Sequence, residues 1–462
     1  MKKIYPIILL ALICFSTQQA KAQCSVLLNF ADTTNGSYPQ GALISDGTYL
    51  YGMTKTGGTF GLGTIFKILP NGTGYVKLLD FDGTTNGSLP YGDLYYDGSF
   101  LFGMTNTGGV FGGGTIFKIM PSGSGYSKLY DFDGMDGKWP VGSLISDGTF
   151  LYGMTPDGGL NNSGVTFKIL PNGAGFTKLL DFGSSATDGA APQGSLLYDG
   201  VSLYGMTEVG GIYSHGNIFK ILPSGNGYIK LFDFNDTATG ILPMASLVSD
   251  GTFLYGTTME GGVNNTGIVF KIMSNGSGFS KIMDFNSNAV GGYPTCSLIF
   301  DGTFLYGTTS LGGLYSSGTA FKILPSGNGY SKLADFNYNT IGGGPGSLLS
   351  DGINLYGMLK GGGLKACGAV YKITNAMGVE QAAAKQPQLN IYPNPTNNQL
   401  FIDVNTTDKL NVDLYDTNGM LVLNKIMSDK NNIDISTLNE GVYTLTVKTS
   451  EGILNKKIVI IH

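Results

Sequence analysis

The sequence predicts an all-β repeat fold. An aromatic-Lys dipeptide recurs seven times, at Phe66-Lys67, Phe117-Lys118, Phe167-Lys168, Phe219-Lys220, Phe270-Lys271, Phe321-Lys322 and Tyr371-Lys372. The spacings are 51, 50, 52, 51, 51 and 50 residues, and a fixed period near 50 marks a repeat architecture. Each period holds four short β-type runs, the pattern of one propeller blade. The expectation is a seven-bladed β-propeller over residues 23–375, closed by its N-terminal strand and followed by a small Ig-like β-sandwich.

The first full unit gives the elements in order. Gly41 to Ser45 (GALIS) is an apolar run, strand A. Asp46-Gly47 is a tight hairpin turn. Tyr49 to Thr54 is aromatic-rich strand B, and a Gly-rich loop follows from Lys55 to Leu62. Gly63 to Leu69 is β-branched strand C, Pro70 to Gly74 is a turn, and Tyr75 to Phe81 is strand D. Runs of this length bounded by Gly, Pro, Asn or Asp read as antiparallel strands. No segment carries a helical period.

Counting copies predicts the closure. The Asp-Gly turn occurs seven times, at Asp46, Asp97, Asp147, Asp199, Asp250, Asp301 and Asp351. Strand D ends in Asp-Phe only six times, at Asp80, Asp131, Asp181, Asp233, Asp284 and Asp335. A seventh copy, Asn29-Phe30, stands near the start of the chain, and the last unit stops near Thr374 without a strand D. The N-terminal strand is therefore expected to complete the last blade, which protects the edges of an open array.

Residues 1–22 read as a secretory signal peptide: Lys2-Lys3, an apolar run from Ile7 to Phe15, then Ala20-Lys21-Ala22. Cleavage is expected before Gln23. Lys21 argues against a lipoprotein signal at Cys24. The apolar run is too short to span a bilayer, and no later stretch is long and apolar enough for a transmembrane helix. Charged residues are 13% of the chain, against about 25% in an average domain. Removing the signal moves the formal charge from −5 to −8, and no basic stripe for nucleic acid appears. All 27 basic residues are lysine, which excludes sites built on guanidinium clamps, a sialidase-type arginine cluster among them. Cys24, Cys296 and Cys367 allow one intramolecular disulfide at most.

The A–B and C–D turns are short, whereas the D–A and B–C connections are long. Alternating strand direction puts both long sets on one face, and loops on a rigid scaffold carry function. One variable set on this face is the residue before a fixed proline: Tyr38, Leu89, Trp139, Ala191, Leu242, Tyr293 and Gly344. Tyr38, Trp139 and Tyr293 fit an aromatic platform for a sugar or peptide, and packing between blades is the plainer account. The second set follows Gly-Gly in the B–C loops, as in Asn161-Asn162-Ser163 and Tyr213-Ser214-His215, where solvated loop tips are the plainer account.

Little points to catalysis. The two histidines, His215 and His462, lie far apart in sequence, so neither a zinc site nor a triad is expected. Glu208 and Glu260 are the two glutamates of the repeat region, both in B–C loops. Paired carboxylates at a suitable separation hydrolyse glycosides, but solvated loop charge explains both. Asp80-Phe81-Asp82-Gly83 lacks full calcium-loop spacing. No cofactor and no metal are expected.

The repeat text, with its Asp-Gly, Leu-Tyr-Gly, Gly-Gly, Phe-Lys and Asp-Phe positions, resembles the GloVer tandem repeat of bacterial exported proteins over residues 24–374. That resemblance implies a propeller-like array and no particular activity. Residues 376–388 read as a linker. Residues 389–462 hold seven short alternating runs, which fit a small sandwich. They resemble the type A sorting domain of the type IX (Por) secretion system of Bacteroidetes, through Tyr392-Pro393-Asn394-Pro395, Asp416, Gly419, Gly441, Tyr443 and Lys457. The resemblance implies passage through the periplasm and across the outer membrane by that machinery. The expectation is a secreted or cell-surface, non-enzymatic propeller binding a glycan or a surface protein. The alternative is an extracellular carbohydrate-active enzyme using Glu208 and Glu260.

Overall fold

The computed structural model describes residues 22–185, 187–374, 376, 389–392, 396–404, 410–416, 420–427, 430–449 and 452–461. The expected signal peptide, apart from Ala22, lies outside them, as do most of the linker and Pro393, Asn394, Pro395 and Gly419 of the tail motif. Two compact units emerge, Met1–Val379 and Glu380–His462. The elements found among the described residues are β-strands throughout.

In the first repeat, Ile44–Ser45, Leu50–Thr54, Thr64–Ile68 and Val76–Asp80 pair antiparallel in chain order. Repeats two to six form the same four-stranded sheet. In the seventh repeat, Leu349–Ser350, Leu355–Gly361 and Ala369–Thr374 supply strands A to C. The outer place is filled by Gln23–Asn29, with Gln23 opposite Thr374 and Asn29 opposite Ala369. Strand D carries a bulge in every repeat, skipping Leu78 in the first. Gln23–Asn29 bulges at the equivalent place, skipping Leu27. The bulged backbone packs on the C–D turn of the following sheet. A Cβ on Gly72 would come within 3.0 Å of the Leu27 carbonyl, and φ there is +87°, so glycine is required twice over.

Strand A is shorter than the sequence implies. Residues 41–43 leave the sheet because their backbone turns to the neighbouring repeat. The Ala42 amide donates to the Asp93 carboxylate, and the Asp93 amide donates to Ser143 Oγ at 2.6 Å. Ser143 donates to Ser195, Ser195 to Ser246, Ser246 to Ser297 and Ser297 to Ser347, at 2.8–3.0 Å. The repeat's Gly-Asp/Ser dipeptide is thus an inter-sheet link, with glycine letting the backbones close together: a Cβ on Gly92 would lie 2.2 Å from the Gly142 carbonyl oxygen.

Apolar cores lie between consecutive sheets. Tyr51, Met53 and Phe81 of the first repeat pack with Leu101 and Phe117 of the second, and the pattern continues along the chain. Phe30, Leu50 and Phe66 pack with Tyr356, Met358 and Val370, so the last sheet also lies against the first. The Phe of each Asp-Phe meets the aromatic of the next Phe-Lys edge-to-face, as in Phe81–Phe117 at 5.5 Å and Phe336–Tyr371 at 4.9 Å between centroids. The Lys of Phe-Lys reaches the next C–D turn: Lys67 Nζ donates to the Pro121 carbonyl at 2.9 Å and lies 4.7 Å from the Tyr49 ring centre. Asp46 Oδ1 accepts from the Thr48 and Tyr49 amides, and Oδ2 accepts from the buried Tyr51 hydroxyl, all at 2.7 Å.

Among the described residues, the second unit has seven strands. Leu389–Tyr392, Gln399–Val404 and Lys430–Asp434 form one sheet. Leu421–Met427, Leu410–Tyr415, Gly441–Thr449 and Gly452–Ile460 form the other. Leu400, Ile402, Val412, Leu414, Leu445 and Ile458 share one buried core. Of the tail motif, Asp416 Oδ1 accepts from the Met420 amide at 2.9 Å. Tyr443 is buried with its hydroxyl on the Asn439 carbonyl at 2.8 Å. Gly441 opens the third strand of that sheet, and Tyr392 and Lys457 are described in backbone only.

Candidate functional site

The two long loops of each repeat lie together, because they pair. Ser37 bridges Thr56, Ser88 bridges Thr107, Lys138 bridges Asp157, Ile241 bridges Glu260 and Gly292 bridges Leu311. Ala190–Val209 and Gly343–Gly361 complete the series as short ladders. The cross-strand partners differ in chemistry from repeat to repeat. Ser37 and Thr56 share a hydroxyl hydrogen bond at 3.0 Å, and Lys138 and Asp157 form an ion pair at 3.1 Å.

The next residue in each repeat is the one before the proline. All seven, Tyr38, Leu89, Trp139, Ala191, Leu242, Tyr293 and Gly344, have φ between +51° and +62°. This is the left-handed region that bulky residues avoid. Hydrogen bonds hold them there. The Tyr38 amide donates to the Cys367 carbonyl of the seventh repeat at 2.9 Å, and the Tyr38 carbonyl accepts from Lys55 at 3.2 Å. Leu89, Trp139, Ala191, Leu242, Tyr293 and Gly344 likewise donate to the B–C loop of the repeat before. At Trp139 the usual donor is Pro156, which has no N–H; Asn106 Nδ2 donates to the Trp139 carbonyl instead, at 2.8 Å. The backbone of this position is therefore a staple between sheets, while its side chain is free to vary.

Trp139 and Tyr38 are 42% and 45% exposed, which sets them apart from a packed interface; Tyr293 is half-buried. Lys138 Nζ sits 4.4 Å from the Trp139 ring centre. Glu208 and Glu260 occupy different loop positions in adjacent repeats. Glu208 accepts from Gln193 Nε2 at 2.7 Å, and its amide donates to the Ala191 carbonyl. The Glu260 backbone pairs with Ile241. Among the described residues no hydrogen bond joins the two carboxylates, and no group of three or more His, Cys, Asp or Glu could hold a metal.

The second variable set is more apolar than solvated loop tips imply. In six repeats the residue after Gly-Gly has its amide tied to the strand-D carboxylate, as in Val110 to Asp131 Oδ1 at 2.9 Å, and in the seventh Leu364 donates to the Asn29 side-chain oxygen at 3.3 Å. The side chain at this position points out: Val110, Leu160, Ile212, Val263, Leu314 and Leu364 are all exposed. Comparing loops at this column would have found them in the sequence. Tyr338 was also missed, and its signal is the pair of triple-glycine runs at 342–344 and 361–363. A cleft of about 450 Å³ lined by Phe300, Asp301, Leu349 and Gly352 sits at the opposite, Asp-Gly turn end of strand A and holds none of the expected site residues.

An all-β array of repeated four-stranded sheets with variable loops on one face, joined to a separate two-sheet tail, defines a repeat protein built for export. The chain belongs to the Gloeobacter/Verrucomicrobia repeat family, which matches residues 13–150, 94–258, 145–304 and 247–392. Residues 390–461 match the secretion system C-terminal sorting domain, which indicates handling by the type IX system and export to the cell surface or beyond. No helix among the described residues is long and apolar enough to cross a membrane. No curated protein sequence matches the chain.

Several solved structures are similar at low identity. The polysaccharide lyase Uly1 is 13% identical over 75% of this chain and 91% of its own, with a TM-score of 0.45. A putative 6-phosphogluconolactonase from Bacteroides fragilis NCTC 9343 is 16% identical over 85% of this chain and 98% of its own, with a TM-score of 0.40. The tricorn protease is 12% identical over 92% of this chain, with a TM-score of 0.40, and this chain spans only 39% of its length.

Proposed function

We propose that the seven repeat sheets are the blades of one closed propeller, sealed by Gln23–Asn29, whose long-loop face binds a glycan or protein at or beyond the cell surface without catalysis. The tail is an Ig-like sandwich that addresses the chain to the type IX machinery. The observation that carries the binding reading is the pre-proline ring: seven backbones held alike at positive φ, with side chains ranging from glycine to tryptophan. Strain kept by surrounding hydrogen bonds accompanies functional positions, and a packing role alone would favour glycine at all seven. A glycan and protein array probed with residues 23–388 tests the reading. Binding lost in Trp139→Gly supports it, and a binding-silent wild type contradicts it. Glu208→Gln with Glu260→Gln is expected to leave binding intact; a glycan-degrading activity that disappears in that double variant would establish an enzyme instead.

A further inference from the structure

One of the seven loop pairs departs from the rest. Where six repeats place at least one side chain in the cross-strand pair before the pre-proline residue, the seventh has Gly343 opposite Gly361. Tyr338 and, at Gly343, Ser317 occupy the space. A Cβ on Gly343 would stand 3.3 Å from Tyr338 Cδ2, and one on Gly361 would stand 3.3 Å from Tyr338 Cε2 and 3.6 Å from Tyr38 Cε1. The ring thus rests on bare backbone beside Tyr38, and it remains 46% exposed, as Tyr38 is 45% exposed. Gly344 also lacks a side chain, and the Lys360 stem lies along it, with Cβ and Cδ 3.6 and 3.8 Å from where a Cβ would be.

Charge in the B–C loops is divided. Lys360, inside the longer strand B of the seventh repeat, is the counterpart of Lys55, which follows strand B in the first, and these two repeats adjoin. The acidic residues of the B–C loops, Asp157, Glu208 and Glu260, belong to repeats three to five, while the D–A loop that carries Tyr38 holds Asp32, whose carboxylate accepts from Ser37 Oγ at 2.9 Å. Lys55 lies 4.4 Å from the Tyr91 ring centre, and neither lysine forms an ion pair among the described residues. Two exposed tyrosine rings supply flat apolar surface with a polar tip, which suits the C–H face of a pyranose. Two unpaired ammonium groups suit an anionic substituent on it.

We infer that Tyr338 and Tyr38, with Lys360 and Lys55, form a subsite for an anionic polysaccharide, one bearing carboxylate or sulfate groups. The inference rests on the ligand-face reading above and narrows it to one place and one chemistry.

Calorimetric titration of residues 23–462 with hexagalacturonate, a sulfated hexasaccharide and uncharged cellohexaose tests it. At least one charged sugar is expected to bind, about tenfold more tightly than cellohexaose, with an affinity that falls as salt rises. The two charged arms separate carboxylate from sulfate. Tyr338→Ala is expected to weaken binding about tenfold and Tyr338→Phe to stay within about threefold. Lys360→Ala should weaken it and flatten the salt dependence. Gly361→Val, which places a branched side chain under the ring, should act like Tyr338→Ala and serves if that variant fails to fold. Equal affinity for charged and neutral sugars, or indifference to Tyr338→Ala, overturns the subsite. If Trp139→Gly then abolishes binding while Tyr338→Ala does not, the face reading stands and only the subsite fails. Absence of saccharide binding, or capture of a protein in its place, also overturns it.

Discussion

Phe30 packs edge-to-face on Phe66 with ring centroids 5.3 Å apart. This is the same contact that Phe81 makes with Phe117 and Phe285 makes with Phe321, at 5.5 and 5.3 Å. Phe30 follows the strand that completes the last sheet, and Phe66 belongs to the first repeat, so the pair joins the ends of the array. The closing strand nevertheless lacks the ion pair of the other outer strands. Lys77–Asp80 at 2.8 Å is typical of those, whereas Val26 and Asn29 stand in the equivalent places. Phe30→Ala is predicted to destabilise the propeller by about 3–5 kcal/mol, the range for removing a buried ring, measured by denaturant unfolding. A loss under about 1 kcal/mol would mean the ring is not packed as described.

Asp93 is the one carboxylate in a belt otherwise made of serines and Ala42. Burial pushes its carboxyl above the usual range, against the hydrogen bonds from Ala42 and Ser143. A carboxyl raised in the folded state loses stability as pH rises through its unfolded value towards its folded one. Asp93→Ser, which restores the repeat consensus, is therefore predicted to raise the melting temperature at pH 7 and to have little effect at pH 3. A fall at pH 7 would contradict this.

The Asp-Gly carboxylates behave in the opposite sense. Burial alone would raise Asp46, but hydrogen bonds from the Tyr49 amide, the Tyr51 hydroxyl and the Thr48 amide outweigh it and hold it below its usual range. Asp147, Asp199, Asp250 and Asp351 are lowered in the same way. Their contribution is present above the unfolded carboxylate pKa of about 4 and is lost as pH falls below it through the folded values. Cooperative acid unfolding below about pH 4 is predicted, followed by circular dichroism. Tyr255→Phe, which removes one partner of Asp250, should weaken that dependence; Phe102 already stands at this position in the second repeat.

Trp139→Gly is predicted to change stability by less than about 1 kcal/mol although it deletes the largest side chain of the chain. Relief of positive-φ strain, about 1–2 kcal/mol, offsets the lost contacts and the greater freedom of glycine when unfolded. A loss of 3 kcal/mol or more would make the ring a packing element.

The repeated sheets, strands B to D and the pairing of Gln23–Asn29 with Ala369–Thr374 were legible because they depend on periodic residues with local causes: Asp-Gly turns, a Gly opposite each Phe, and an Asp or Asn at each strand D end. Gly41 to Leu43 look β-competent in sequence, and only the inter-repeat links from Ala42 to Asp93 reveal where that backbone goes. The pre-proline column was visible as variation, but positive φ at a tryptophan is not, since it is imposed by carbonyls of the preceding repeat. Tyr338 was missed because its role lies in what Gly343 and Gly361 lack. In the tail, alternation located the seven strands, and the secretion reading came from resemblance and not from physics.

The sorting tail gives a prediction for the whole cell. Removing residues 389–462 is expected to leave the propeller in the periplasm, measured by fractionation and immunodetection. Unchanged appearance outside the cell would contradict dependence on that tail.

Ring closure is tested most directly by thermal unfolding of a chain lacking Gln23–Phe30. The account predicts a broad transition at a markedly lower temperature, partly restored by adding the peptide of residues 23–30. An unchanged melting curve would contradict it.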